Sequence, residues 1–240
     1  MNAQAVFLET PVPYGIMADV QNELLAQRIA NTIPDTVLLL EHTPVVTLGR
    51  RGRKNHLLLS REALQQRGIA LHHASRGGDV TYHGPGQLVL YPIIHLGDRE
   101  ADAHGYLHNL EETAIRTAAD FGVKAYRRTG KSGAWTDAGK IAAIGFHLKR
   151  WVTSHGMSFN VAPDLTHFQT IVPCGLVGET VSSLQAVLGK NAPDLSEVRR
   201  IMAEHFADIC QRPLTVKTLS LPTATQTATL ITHIMDCIKA

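Results

Sequence analysis

The sequence predicts an α+β fold of the mixed α/β kind, and three observations carry that reading. Helical and strand periodicities are interleaved along the chain, without the strict strand–helix–strand alternation of a wound parallel sheet. The chain has 240 residues, enough to bury a core without disulfide or metal support. Hydrophobic residues make up 44% and charged residues 18%, which fits a folded globular chain and not a disordered one.

The elements follow in order. Residues 15–30 carry Ile16, Val20, Leu24 and Ile29 near helical spacing. Residues 36–41 and 45–48 are short apolar or β-branched runs separated by His42, Thr43 and Pro44, and read as two strands joined by a turn. Residues 60–66 read as a short helix, with Ser60 as N-cap and Gly68 as its stop. Residues 87–94 read as a strand in which Pro92 implies an edge or a strand end. Residues 102–121 form a long helical stretch ended by Gly122. Further strands are expected at 123–126, 140–149 and 157–161, the last two paired as a hairpin around 150–153. Residues 195–210 read as an amphipathic helix with Val198, Ile201, Met202, His205 and Ile209 on one stripe, followed by Pro213. Thr and Ala crowd residues 215–229, which read as a linker into a last helix. The expectation is one domain over 1–240, with a helical C-terminal extension at about 190–240.

Charge and targeting signals narrow the classes. Lys plus Arg is 23 and Asp plus Glu is 21, a net +2 that argues against a dedicated nucleic-acid binder. No apolar run approaches the ~20 residues of a membrane span. The first fifteen residues lack both a basic region and an apolar core, so neither a signal nor a transit peptide is expected. Cys174, Cys210 and Cys237 are a sparse, odd set that does not read as a disulfide framework, and a reducing cytoplasm is expected. Thirteen histidines are many for this length. His104, His108 and Glu111 have metal-ligand spacing on the 102–121 helix but read as a solvated face, so no metal is expected.

One segment departs from average composition: Arg76, Gly77, Gly78, Asp79, Val80, Thr81, Tyr82, His83, Gly84, Pro85, Gly86 and Gln87. Its glycines permit positive φ angles and close backbone approach to a ligand. It is neither a P-loop nor a dinucleotide fingerprint, because no Gly-Lys-Ser/Thr and no GxGxxG is present. Two readings stand: a ligand-contacting loop, or two tight turns flanking a short strand.

Among the cysteines, Cys210 and Cys237 lie among apolar helical residues and read as small core or boundary residues. Cys174 sits between Pro173 and Gly175, a sharp loop that either presents a thiolate to a cleft or buries a loop cysteine. A cysteine nucleophile needs a group that takes its proton. Histidine is one choice and Lys140 another. Strand alternation puts Lys140 on the face of Ala142, Ile144 and Phe146, where a partly desolvated lysine acts as a base; a strand-end lysine reaching solvent is the competing reading.

These residues together resemble a known family. Arg76 to Gln87, then Gly139-Lys140-Ile141 with Ile144-Gly145, then His155-Gly156 with Phe159-Asn160-Val161, then Pro173-Cys174-Gly175 resemble the lipoyl(octanoyl) transferases. Thr47-Leu48-Gly49-Arg50-Arg51-Gly52 is similar to the family's early loop. The resemblance runs from about Pro44 to about Leu184. It implies an enzyme that takes octanoyl from acyl carrier protein and passes it, through a cysteine thioester, to a lysine of a lipoyl domain in a 2-oxoacid dehydrogenase or a glycine cleavage carrier protein. It implies Cys174 as nucleophile and Lys140 as its proton partner. It also implies a substrate pocket lined by Arg76, Gly77, Gly78, Asp79, Val80, Thr81, Tyr82 and His83, by Ala143, Ile144 and Gly145, and by Gly156, Met157 and Ser158. Backbone N–H groups or His83 then stabilise the oxyanion. The implied fold is a biotin/lipoate ligase-like catalytic core with a larger mixed sheet, a smaller sheet and surrounding helices. It implies a monomer that uses no cofactor and binds neither nucleic acid nor membrane.

The main alternative is an ATP-dependent lipoate or biotin ligase of the same fold, which needs no cysteine. Two basic sets, Arg50, Arg51, Arg53 and Lys54, and Lys124, Arg127, Arg128 and Lys131, either face acidic partner domains or are ordinary solvated loops.

Overall fold

The computed structural model describes residues 2–97, 102–175, 178–220 and 226–239, the side chain of Cys174 excepted. The chain opens with strand β1 (Ala3–Leu8), crosses over through helix α1 (Tyr14–Ile29) and returns as β2 (Thr36–Leu40), parallel to β1. It then leaves this sheet. β3 (Val45–Leu48), helix α2 (Arg61–Gln66), β4 (Ala70–His73) and β5 (Val80–His83) build a second, small sheet in the order β4-β3-β5. β6 (Gln87–Ile93) returns to pair antiparallel with β2. After α3 (Ala103–Asp120) come β7 (Tyr126–Arg128), β8 (Lys131–Thr136), β9 (Gly139–Lys149) and β10 (Val152–Asn160). Helices α4 (Leu184–Leu188) and α5 (Leu195–Ile209), strand β11 (Leu214–Leu219) and helix α6 (Thr227–Lys239) complete the described chain. The larger sheet runs β11-β1-β2-β6-β10-β9-β8-β7, parallel across β11, β1 and β2 and antiparallel beyond. This is the mixed α+β architecture expected, with a larger and a smaller sheet.

β2 shows why the larger sheet is covered on both faces. Its five residues, Thr-Val-Leu-Leu-Leu, are all buried, and strand alternation sends them two ways. Val37 and Leu39 pack with Leu110 and Ala114 of α3 and Val198, Met202 and Phe206 of α5. Leu38 and Leu40 pack with Met17, Val20 and Leu24 of α1 and Leu230 and Ile234 of α6. Each such fully buried aliphatic side chain stabilises the fold by about 1.5–3 kcal/mol relative to exposure. A third cluster (Val46, Leu48, Leu64, Ile69, Val80, Tyr82, Phe168 and Ile171) sits under the small sheet. No helix among the described residues is long and apolar enough to cross a membrane.

Several local expectations are met. Ser60 caps α2 by accepting from the Ala63 N–H, Asp102 caps α3, and Gly122, at φ +74°, follows its end. β9 and β10 form the expected hairpin, tightened to the two residues Arg150 and Trp151, both at positive φ as a type I′ turn requires.

Others change. Residues 36–41 and 45–48 are strands but not a hairpin, because they belong to different sheets. His42 between them is wholly buried and bonded to the Val12 carbonyl and the Tyr91 hydroxyl, so the chain threads through the core instead of turning back. Pro92 lies in an interior strand, tolerated because the β10 ladder on that side ends at Leu90. The strand expected at 123–126 starts only at Tyr126. On α5 the buried stripe uses Phe206, while Ile201, His205 and Ile209 are only half-buried. The Thr-rich stretch after Pro213 begins as β11, an edge strand parallel to β1. Thr215, Val216 and Thr218 are exposed and none of its residues is fully buried, which is why its composition reads as a linker.

Candidate active site

The glycine-rich segment is strand β5 flanked by two turns, and the turn ahead of it, Arg76 to Asp79, is fastened on two sides. Gly49, Arg50 and Arg51 donate their backbone N–H groups to the carbonyls of Asp79, Arg76 and Gly78. A Cβ on Gly49 would lie 2.6 Å from the Gly78 carbonyl oxygen, so only glycine permits this approach. On the other side the Gly77 N–H donates to the Phe146 carbonyl at 2.9 Å, and the missing Cβ of Gly145 leaves room for the Gly77 carbonyl. Arg76 is buried and donates to Thr47, to its carbonyl at 2.8 Å and to its hydroxyl at 2.7 Å.

This loop forms one wall of a cleft of about 420 Å³. The opposite wall is the β9–β10 ladder, where Ala143, Ile144 and Gly145 pair directly with Ser158, Met157 and Gly156. Arg76, Gly78, Asp79, Val80, Thr81 and His83 line the cleft with them. Gly77 and Tyr82 do not. Gly77 is turned to β9, and Tyr82 packs behind the small sheet against Phe168, with its hydroxyl 2.7 Å from His167 Nδ1.

Lys140 lies where β9 begins and is buried, 6% exposed. The ladder between β8 and β9 slips between Ala134 and Trp135, which are partnered by Ala142 and Lys140. Ile141 is the extra residue of this bulge and enters the core with Ala142. Lys140 therefore lines the cleft with Ala143, not on one face with Ala142 and Phe146 as unbroken alternation predicts. Gly133, at φ +111°, leaves space for the Lys140 side chain, and Nζ stands 5.1 Å from the Trp135 ring centroid.

Cys174 sits in a single 3-10 turn, Pro173–Gly175, and its side chain lies outside the described residues. Its neighbours locate the turn. Gly175 lines the main cleft together with Lys140, and Pro173 lines a small adjoining cavity of about 10 Å³ that Lys140 also lines. The Val172 N–H donates to the His56 carbonyl at 2.8 Å, and Leu57 bridges to Ile171, which ties the approach to the turn to the segment after the early arginine loop.

A cluster of rings closes the back of the cleft, with His83 and Tyr91 reaching its surface. His83 Nδ1 is 2.7 Å from Gln87 Oε1, and its ring stacks parallel to Tyr14 at 6.2 Å. Burial, then the neighbouring His42 and Arg76, holds the His83 imidazole well below its ordinary range. His42 is pushed down to about 4 by burial. Its Nδ1 donates to the Val12 carbonyl, so Nε2 accepts from the hydroxyl of Tyr91, another lining residue.

Four basic residues line the cleft without having been singled out as lining residues by the sequence: Arg51, Arg53, His56 and Lys131. His56 stands among exposed basic and apolar residues with no spacing pattern around it, so no local signal marks it. Glu111, expected on a solvated face, is buried; it accepts from the Gly133 N–H at 2.9 Å and from Arg127 Nε at 3.1 Å.

A profile of the lipoyl protein ligase A/B catalytic domain matches residues 13–207, wider than the 44–184 stretch that carries the motifs. An octanoyltransferase of Geobacter metallireducens is 50% identical over 187 residues, 78% of this chain and 84% of that one. An octanoyltransferase of Solibacter usitatus is 48% identical over 198 residues, 82% of this chain and 89% of that one. Solved structures share the fold at low identity. The bipartite lipoate protein ligase of Thermoplasma acidophilum superposes with a TM-score of 0.71 at 15% identity, over 98% of this chain and 92% of that one. A lipoate-protein ligase A bound with ATP gives 0.72 at 15%, over 98% and 95%. By the length of the profile match and the identity to these relatives, the chain belongs to the lipoyl protein ligase A/B catalytic-domain family, and within it to the octanoyltransferases.

Proposed function

We propose that the protein transfers an octanoyl group from octanoyl-acyl carrier protein to the target lysine of an apo lipoyl domain, through a thioester on Cys174. The observation that carries this reading is that Lys140 meets both neighbours of Cys174, Gly175 at the main cleft and Pro173 at the small cavity adjoining it. Lys140 Nζ takes the thiol proton, and the thiolate attacks the donor carbonyl. The bond to the carrier sulfur breaks, and that sulfur leaves with the proton from Lys140. The acyl chain then lies against Ile144 and Met157, with the glycines of both walls letting it approach the backbone. The acceptor amine displaces Cys174 and forms an amide, more stable than a thioester, so no ATP is consumed.

Intact mass after incubation with octanoyl-acyl carrier protein, without ATP, tests this. The wild type gains one octanoyl adduct that hydroxylamine removes, and Cys174→Ala gains none. Lys140→Ala acylates about 10²–10⁴ times more slowly, the usual span for loss of a positioned base. An unmodified wild type that forms product only from free octanoate and ATP would instead be a ligase, the activity class of the ATP-bound structure that shares this fold.

A further inference from the structure

We propose that His56, oriented by Asp79, is a second base of the site and removes a proton from the incoming acceptor lysine. This rests on the transfer reaction proposed above. The geometry is that of an oriented imidazole. His56 Nδ1 is 2.6 Å from Asp79 Oδ2. The other oxygen of Asp79 accepts from its own neighbour's N–H, Val80 at 2.8 Å, and from Arg53 N–H at 3.1 Å. A carboxylate only accepts, so Nδ1 donates to Asp79, and the tautomer this selects for the neutral ring carries its lone pair on Nε2. No hydrogen-bond partner for Nε2 occurs among the described residues.

The pair adjoins the turn of the nucleophile. A Cβ built on Gly175 would lie 2.5 Å from Asp79 Oδ2 and 2.9 Å from His56 Cε1, so the backbone just after Cys174 rests on the two side chains. Gly175, at φ +69°, is the residue that makes this contact possible. His56 and Asp79 both line the cleft with Lys140 and remain about one-eighth exposed, a path for a proton to solvent.

Proton accounting gives the pair its work. In the first half-reaction Lys140 takes one proton from Cys174 and gives it to the departing carrier sulfur, which leaves it neutral again. In the second half-reaction the acceptor arrives as an ammonium. Its nitrogen must lose two protons to become the amide nitrogen, while the Cys174 sulfur regains one. Lys140 shuttles that one from the tetrahedral adduct to sulfur as the C–S bond breaks. The other must leave before attack, because an ammonium has no lone pair. At pH 7.4 about one exposed lysine in a thousand is neutral. His56 Nε2 takes this first proton and passes it to solvent as the new N–C bond forms.

Single-turnover kinetics test the assignment, with the acyl-enzyme formed first and then challenged with a lipoyl domain or with hydroxylamine, which is already neutral at pH 7. His56→Gln keeps a hydrogen bond to Asp79 but accepts no proton, and serves beside His56→Ala. Both variants should acylate and discharge to hydroxylamine within about threefold of wild type, and transfer to lysine about 10²–10³ times more slowly, the span of a lost general base. Added imidazole should recover part of the His56→Ala loss. If His56→Gln transfers to lysine at the wild-type rate, or if hydroxylamine discharge falls as far as lysine transfer, His56 is a prop for the turn and the inference is overturned. A wild type that forms no acyl-enzyme overturns the transfer reading itself, and this inference with it.

Discussion

His42, His83 and His155 stand uncharged in one buried cluster that reaches the cleft through His83. Burial is the first cause for each; the Arg76 charge adds to it for His83 and His155, and the latter is pushed to about 3. Freed in the unfolded chain, all three return toward 6.5 and bind protons that the native state refuses. Between about pH 6.5 and pH 4 the unfolded state therefore holds more protons, and stability must rise with pH across that window and level off above it. His42 alone, at about 4 in the fold, accounts for on the order of 3 kcal/mol over the window. Denaturant unfolding at pH 7.5, 5.5 and 4.5 should show this fall, with uptake of up to about three protons on unfolding near pH 5. A stability unchanged between pH 7.5 and 4.5 would contradict the buried neutral cluster. The thirteen histidines of the sequence thus have a partial explanation that no local pattern reveals. The three come from separate segments, and only the packing of α1 and β10 around β5 and β6 makes them neighbours.

At the scale of elements, the cleft depends on strands that lack side chains where they meet. A Cβ on Gly156 would lie 2.3 Å from the Leu90 carbonyl oxygen and 2.7 Å from the Pro92 ring. Neither neighbour is a flexible side-chain end, so Gly156→Ala forces β10 from β6. The expected cost is about 2–3 kcal/mol, read as a fall of roughly 5–10 °C in Tm for a chain of this size. Acyl-enzyme formation should fall with it, because Gly156 is paired to Gly145 in the cleft wall. An alanine variant with unchanged Tm would show that the ladder gives way more easily than this packing allows. Strand β9 was legible in the sequence, but of β10 only the part from Met157 onward was, its first residues having been read as the turn. The bulge at Ile141 was not, because alternation read along one strand assumes an unbroken ladder and the slip is set by the partner strand. The same limit applies to Tyr82, whose place in the glycine-rich segment says nothing of the Phe168 and His167 rings that draw it behind the sheet.

Across the whole molecule the fold separates two basic sets that the sequence left equivalent. Arg127 is paired with Glu111 and Glu112, and Arg128 and Lys131 with Glu179. Arg50, Arg51, Arg53 and Lys54 stay exposed, with Arg51 and Arg53 on the cleft itself. Arg127, Arg128 and Lys131 are thus largely neutralised from within, which leaves Arg50, Arg51, Arg53 and Lys54 as the set we propose for docking acidic partner domains. Charge reversal at Arg50 and Arg51 should slow turnover about tenfold at low salt and much less at high salt, since steering between exposed charges is screened. Their backbone N–H groups, not their side chains, hold the glycine-rich loop, so the fold should be kept. A salt dependence equal to that of wild type would remove this docking role. The C-terminal residues are equally a matter for the whole chain. β11 extends the sheet beside β1, and α6 packs on α1 in the same core as β2.

The sequence by itself determined the class of fold, the caps and stops of its helices, the hairpin of β9 and β10, and the segments from which the cleft is made. Those signals are local: a cap oxygen, a glycine at positive φ, an apolar period, each read within a few residues. Only the tertiary structure decided which residues face the cleft and which lie behind it. It bent β9 so that Lys140 enters the cleft, turned Tyr82 away, and set His56 against Asp79 across 23 positions of chain. It also made a strand of the polar stretch after Pro213 by giving it β1 as a partner. Such contacts depend on the closing of long loops by the collapse of three separate cores, and no short stretch of sequence holds that information.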